Sequence, residues 1–151
     1  MAVLATVMAL AVPSLSRSLR DRNLAQEAKR FIALTEYARN EAISQGVPMT
    51  VWIDVENGRF GAEPKTGFSG NDNTQKEFSL NPDVHFENLS TAQGQNELSQ
   101  AIEFAPDGVP EPTSIASIEL ADRFGSVVAI TKTQDKLGYE IEDASAVTNK
   151  K

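Results

Sequence analysis

The stretch up to Gln45 constrains the fold more than any other part of the chain. "MAVLATVMALAVPSLS" carries no charge and is followed by Arg17, Arg20 and Arg22. Ala, Val and Leu occupy every side of it, and a helix that is apolar all round must be surrounded by lipid or protein. Past Pro13 the pattern changes. Leu24, Ala28, Phe31, Leu34, Ala38 and Ala42 recur at spacings of 4, 3, 3, 4 and 4, which on a helix confines them to an arc of about 120°. Arg22, Gln26, Lys29, Glu36 and Asn40 mark the opposite side. Gly46 stands where a left-handed C-cap belongs, and Pro48 forbids continuation. One helix from near residue 2 to near residue 45 is predicted, about 65 Å long. Its six-residue stripe is the face expected to pack on the rest of the chain.

The charge-free stretch admits three readings. Over its length a helix reaches about 24 Å, short of the roughly 30 Å hydrocarbon core of a bilayer. Val3, Leu4, Val7, Met8, Leu10, Val12 and Pro13 then form part of a membrane span. Alternatively, Ala9-Leu10-Ala11 reads as the cleavage site of a secretory signal, although no basic flank precedes it. The third reading is a core helix. Pro13 removes one backbone hydrogen bond and bends the axis, which lipid or packed neighbours tolerate.

After Gly46 the period falls from near 3.6 to near 2. "MTVWIDVENGRFGAE" reads as two strands joined at Asn57-Gly58, a strong hairpin signal. Val51 and Ile53 share one face of the first strand; Thr50, Trp52 and Asp54 share the other. Residues 64–76 read as a polar loop. Short strands are expected at 77–80, 84–87, 101–105, 114–121, 126–133 and 138–143, with a turn at Pro106-Asp107-Gly108. The expectation is an α+β fold, a long N-terminal helix on an antiparallel sheet of seven or eight short strands. Three segments follow: the helix over 1–46 (apolar 1–16, amphipathic 17–46), a β head over 47–143 and a flexible tail over 144–151.

Chemistry is hard to find in these residues. There is no cysteine, which excludes disulfides and thiolate catalysis. His85, the single histidine, has no partner at metal-ligand spacing and reads as an ordinary strand residue. Nucleophile-elbow, Walker and GxGxxG patterns are absent. Asp54, Glu56, Asp107, Glu140, Glu142 and Asp143 read as solvated surface charge, without the regularity of a calcium loop. Trp52 and Tyr139 are expected in the core. No catalytic residue, metal or cofactor is expected. The chain carries 14 Lys and Arg against 21 Asp and Glu, and the excess of acid lies wholly beyond residue 46, which disfavours nucleic acid as a partner.

"VLATVMALAVPSLSRSLRDRNL" resembles the N-terminal helix of type IV pilins and type II secretion pseudopilins. "RFIALTEYARNEAISQGVPMTVWID" is similar to the helix end and first strand of the GspH/FimT branch, with its Ala38-Arg39 and Ala42-Ile43 pairs and Gly46 before the strand. "IEFAPDGVP" resembles that branch's Phe-x-Pro-x-Gly strand and turn at Phe104, Pro106 and Gly108. The family's leader and Gly-Phe-Thr-Leu-Ile-Glu motif do not occur, so by the position of Pro13 the chain is expected to start inside the mature helix. "KLGYEIED" lacks the Gly-Arg pair often seen in the last strands.

The resemblance implies a minor pseudopilin, a structural subunit of a type II secretion pseudopilus. Its partners would be other pilin-like subunits and an inner-membrane assembly platform. The apolar half-helix would sit in the bacterial inner membrane as a single pass before assembly and in the filament core after it, with the head in the periplasm. One alternative is a FimT-like minor type IV pilin acting in pilus assembly or DNA uptake. A second is a secreted β-rich hydrolase or binding protein whose mature chain begins at Val12.

Overall fold

The computed structural model describes residues 2–70, 73–92 and 101–142, with helix side chains described from Arg22 onward. The helix α1 spans Ala2–Gln45, 44 residues without a break in its secondary structure at Pro13. It ends at Gly46, whose φ of 64° is the left-handed angle that a glycine C-cap supplies.

Eight strands follow: β1 (Met49–Asp54), β2 (Arg59–Pro64), β3 (Lys76–Ser79), β4 (Val84–Thr91), β5 (Ala101–Phe104), β6 (Ile115–Asp122), β7 (Val127–Lys132) and β8 (Tyr139–Ile141). They form two four-stranded antiparallel sheets, ordered β3-β2-β1-β5 and β4-β6-β7-β8. The sequence pattern alone pointed to strands, not to their partition. β1 leaves β5 on its far side across a long stretch of chain, with Val51 opposite Ile102 and Met49 opposite Phe104. β4 is four residues longer than expected and bulged between Phe86 and Asn88; the bulge interrupts the alternation by which a strand is recognised.

The hairpin at Asn57-Gly58 is also more open than a two-residue turn. Asp54 pairs with Arg59, and of the residues between them only Gly58 has a positive φ, 60°. Asp54 closes the loop by accepting from the Asn57 backbone N–H at 3.1 Å and from Asn57 Nδ2 at 2.8 Å.

The core lies where α1 meets both sheets. Phe31, fully buried, has its ring 5.4 Å from that of Phe60 on β2 and 6.4 Å from that of Phe86 on β4. Phe60 and Phe86 meet edge to face at 6.2 Å. This three-ring cluster ties the helix to one strand of each sheet, and such pairs contribute about 0.5–1.5 kcal/mol beyond area burial.

Candidate functional site

The helix carries the candidate packing residues and the candidate anchor residues. Leu24, Ala28, Phe31, Leu34, Ala38 and Ala42 are no more than 3% exposed and belong to the core cluster. Three of the six are alanines, so the axis lies close to the strands beneath. Val3, Leu4, Val7, Met8, Leu10, Val12 and Pro13 have helical backbone, and their side chains lie outside the described residues. Among the described residues no helix is long and apolar enough to cross a membrane.

Two motifs far apart in sequence form one contact. Arg39 Nε donates to the Gly108 carbonyl at 3.0 Å, bridging 69 residues of chain. Gly108 has φ 80° and sits under the helix so tightly that a Cβ would stand 2.6 Å from Ile43 Cδ1 and 3.2 Å from Arg39 Cγ. The turn is closed by Gly108 N–H to Ala105 O at 2.8 Å and by Val109 N–H to Asp107 Oδ1 at 3.0 Å. Arg39 and Ile43, the second members of the Ala38-Arg39 and Ala42-Ile43 pairs, therefore seat the Pro106–Gly108 turn on the end of α1. Ile43 and Val109 remain 50% and 44% exposed there.

Beside this contact a cleft of about 150 Å³ runs between α1 and the β7–β8 turn, lined by Thr35, Glu36 and Arg39 facing Thr133, Asp135 and Tyr139. Tyr139 is buried and its hydroxyl donates to Ile115 O. Burial holds the phenol well above its ordinary range. The Asp135 carboxyl is held low by the Thr133 hydroxyl and the Leu137 N–H that donate to it.

The remaining candidates are structural. His85 is exposed on β4, its Nε2 2.8 Å from Glu87 Oε2. Asp54 caps its hairpin and pairs with Arg59 at 3.3 Å; the Asn57 side chain, first among its partners, holds the carboxyl low. Among the described residues no group of three or more acidic or histidine side chains gathers as a metal site. Tyr139 is in the core; Trp52 is not. It lies half-buried on the outer face of its sheet, across Gly61, where a Cβ would come within 2.5 Å of the indole. Alternation along β1 puts Trp52 opposite Val51, and the bare glycine beside it gives the ring a bed. Sequence reasoning also missed Glu27, 6% exposed, whose two oxygens accept from Arg30 Nη1 at 2.8 and 3.0 Å. Its only sequence signal was the three-residue spacing to Arg30.

A single long helix seated across an antiparallel head, with a rod of helix running past it, defines a pilin-like subunit. The sequence matches the family described as Type II transport protein GspH over residues 27–134, most of the chain. The chain belongs to that family. The minor pseudopilin EpsH of the Vibrio cholerae type 2 secretion system shares the fold in two structures. One has a TM-score of 0.59 at 15% identity and covers 80% of this chain and 96% of that one. The other has a TM-score of 0.60 at 15% identity, covering 80% and 93%. The Pseudomonas aeruginosa type IV minor pilin FimU superposes with a TM-score of 0.60 at 14% identity, covering 83% of this chain and 92% of that one. Among curated proteins none matches in sequence.

Proposed function

We propose that this chain is a minor pseudopilin, a structural subunit of the pseudopilus of a type II secretion system. The observation that carries the reading is the extent of the GspH match: it takes in the packing half of α1 and the head down to the end of β7. The apolar half of α1 holds the subunit in the inner membrane before assembly and packs among like helices afterwards, leaving the head in the periplasm. Val3, Leu4, Val7, Met8, Leu10, Val12 and Pro13 serve that anchor. Leu24, Ala28, Phe31, Leu34, Ala38 and Ala42 hold the head to the rod. Other pilin-like subunits and an inner-membrane platform are the partners, and the role requires no catalysis or cofactor.

Deleting the gene from a strain with a working type II system tests this. Cargo should accumulate in the periplasm, and the tagged full chain should restore export and fractionate with the pilin-like subunits. Unchanged export, or a soluble chain starting at Val12, would overturn it. The likeness to FimU supports a second reading as a minor type IV pilin, which predicts lost surface pili with export intact.

A further inference from the structure

A slot opens on the flank of α1 where it passes the edge of the first sheet. Arg30, Ala33, Leu34 and Tyr37 line one wall, Lys76 and Phe78 of β3 the other, around a volume of about 280 Å³. β3 is the outermost strand of its sheet, and a free edge ordinarily invites another strand. Here the helix already reaches across. The Tyr37 hydroxyl donates to Thr74 O at 3.1 Å and Arg30 Nη1 reaches Ser79 O at 3.5 Å. The edge is bridged at both ends, so what enters between the bridges is a side chain and not a strand.

The rim of the slot has a specific charge pattern. Arg30 lies 5.3 Å over the Phe78 ring and Lys76 lies 4.8 Å over the Tyr37 ring. Arg30 is neutralised by Glu27 at 2.8 Å, whereas Lys76 has no ion-pair partner among the described residues. Ala33 is exposed, and Phe78 is 37% exposed. On a chain with a formal charge of -7, a cation that has no ion pair among the described residues, set beside an apolar slot, favours an incoming carboxylate.

We propose that this slot receives one large apolar side chain, with a carboxylate near it in sequence, from a neighbouring pilin-like subunit of the same filament. The inference rests on the minor-pseudopilin reading, which supplies the neighbour. At about 280 Å³ the slot lies at the lower edge of the ~300–1,000 Å³ of sites that enclose small ligands, with room for one or two side chains. It lies on the flank of α1 at the outer edge of the first sheet. A second copy of this chain is the poorer occupant, because two such acidic heads repel.

Photo-crosslinking in cells with the complete secretion system tests the proposal. Benzoylphenylalanine replaces Ala33 or, in a second variant, Phe78 of the full chain; both positions are exposed, so the core stays intact. The crosslink should map by mass spectrometry to a pilin-like subunit, within about one helical turn of an Asp or Glu. Lys76→Glu should lower its yield roughly tenfold, and reversing the mapped carboxylate to Lys should restore it. Gln134→Trp, on the β7–β8 turn, should change nothing. A crosslink to lipid, to a second copy, or to a site without a carboxylate would overturn the proposal. So would an unchanged yield in Lys76→Glu. No crosslink from a chain that still fractionates with filament subunits sinks the slot alone. Absence of the chain from that fraction sinks the pseudopilin reading itself.

Discussion

Glycines at two positions are held by their surroundings for different reasons, and the difference is measurable. Gly108 combines φ 80° with an approach of 2.6 Å to the flexible tip of Ile43. That tip can swing into solvent, so Gly108→Ala carries mainly the backbone strain, about 1–3 kcal/mol, read as a lower urea midpoint. Gly61 has no such outlet, because its Cβ would meet Lys76 O at 2.4 Å. Overpacking against backbone forces the strands apart, so Gly61→Ala should cost about 3 kcal/mol or more. It should also release β3, seen as faster amide exchange at Lys76–Ser79 in Gly61→Ala than in Gly108→Ala. Tyr139 gives a pH signature. Its phenol, raised by burial, stays neutral in the folded chain after the unfolded chain has ionised. The contribution of Tyr139 is constant below about pH 10 and falls above it, by up to ~1.4 kcal/mol per pH unit for one group. Lys132, lowered by its own burial, acts in the opposite sense, so the informative quantity is a difference. Tyr139→Phe should be less stable than wild type by about 1 kcal/mol at pH 7, with the gap closing above pH 10 in urea titrations.

At the scale of elements, the helix carries both the core and most of what was readable in advance. Phe31→Ala removes the ring that joins α1 to Phe60 and Phe86, and should cost about 3–5 kcal/mol, the largest loss among single truncations of the stripe. Ala38→Leu, fully buried at the helix–sheet seam, should cost about 1–3 kcal/mol through overpacking; thermal melts of the full chain in detergent would rank the two. The stripe was legible because a 3.6-residue period survives substitution among Leu, Ala and Phe. The Gly46 cap was legible because only glycine takes φ 64° without strain. Strand pairing was not legible. β1 and β5 lie far apart in sequence, and period-2 alternation says which face a residue takes, not which strand lies beside it. Trp52 shows the same limit: alternation assigned it to the Thr50–Asp54 face, but not that this face looks outward. The Arg39–Gly108 bond joined two recognisable motifs whose contact neither motif announced.

For the molecule as a whole, the distribution of charge decides between partners that the fold leaves open. Residues 47–151 hold eight Lys and Arg against seventeen Asp and Glu. Several of the basic side chains there are already engaged, Arg59 with Asp54 and Glu77, Lys65 with Glu103, and Arg123 with Asp83. Binding to a duplex draws on phosphate contacts whose released counterions give a steep salt dependence, roughly one log unit of salt slope per neutralised phosphate. A head in which acidic side chains outnumber basic ones seventeen to eight lacks the concentrated positive charge that such a slope needs, and its net field repels the polyanion at a range set by the ~10 Å Debye length at 0.1 M salt. The full chain in detergent should therefore leave a 30-base-pair duplex unretarded at 0.05 M salt. Replacing Lys150 and Lys151 with Ala should change nothing, since two terminal lysines cannot offset the head. Salt-sensitive retardation abolished by that double substitution would instead move the chain toward the DNA-uptake pilins and away from secretion.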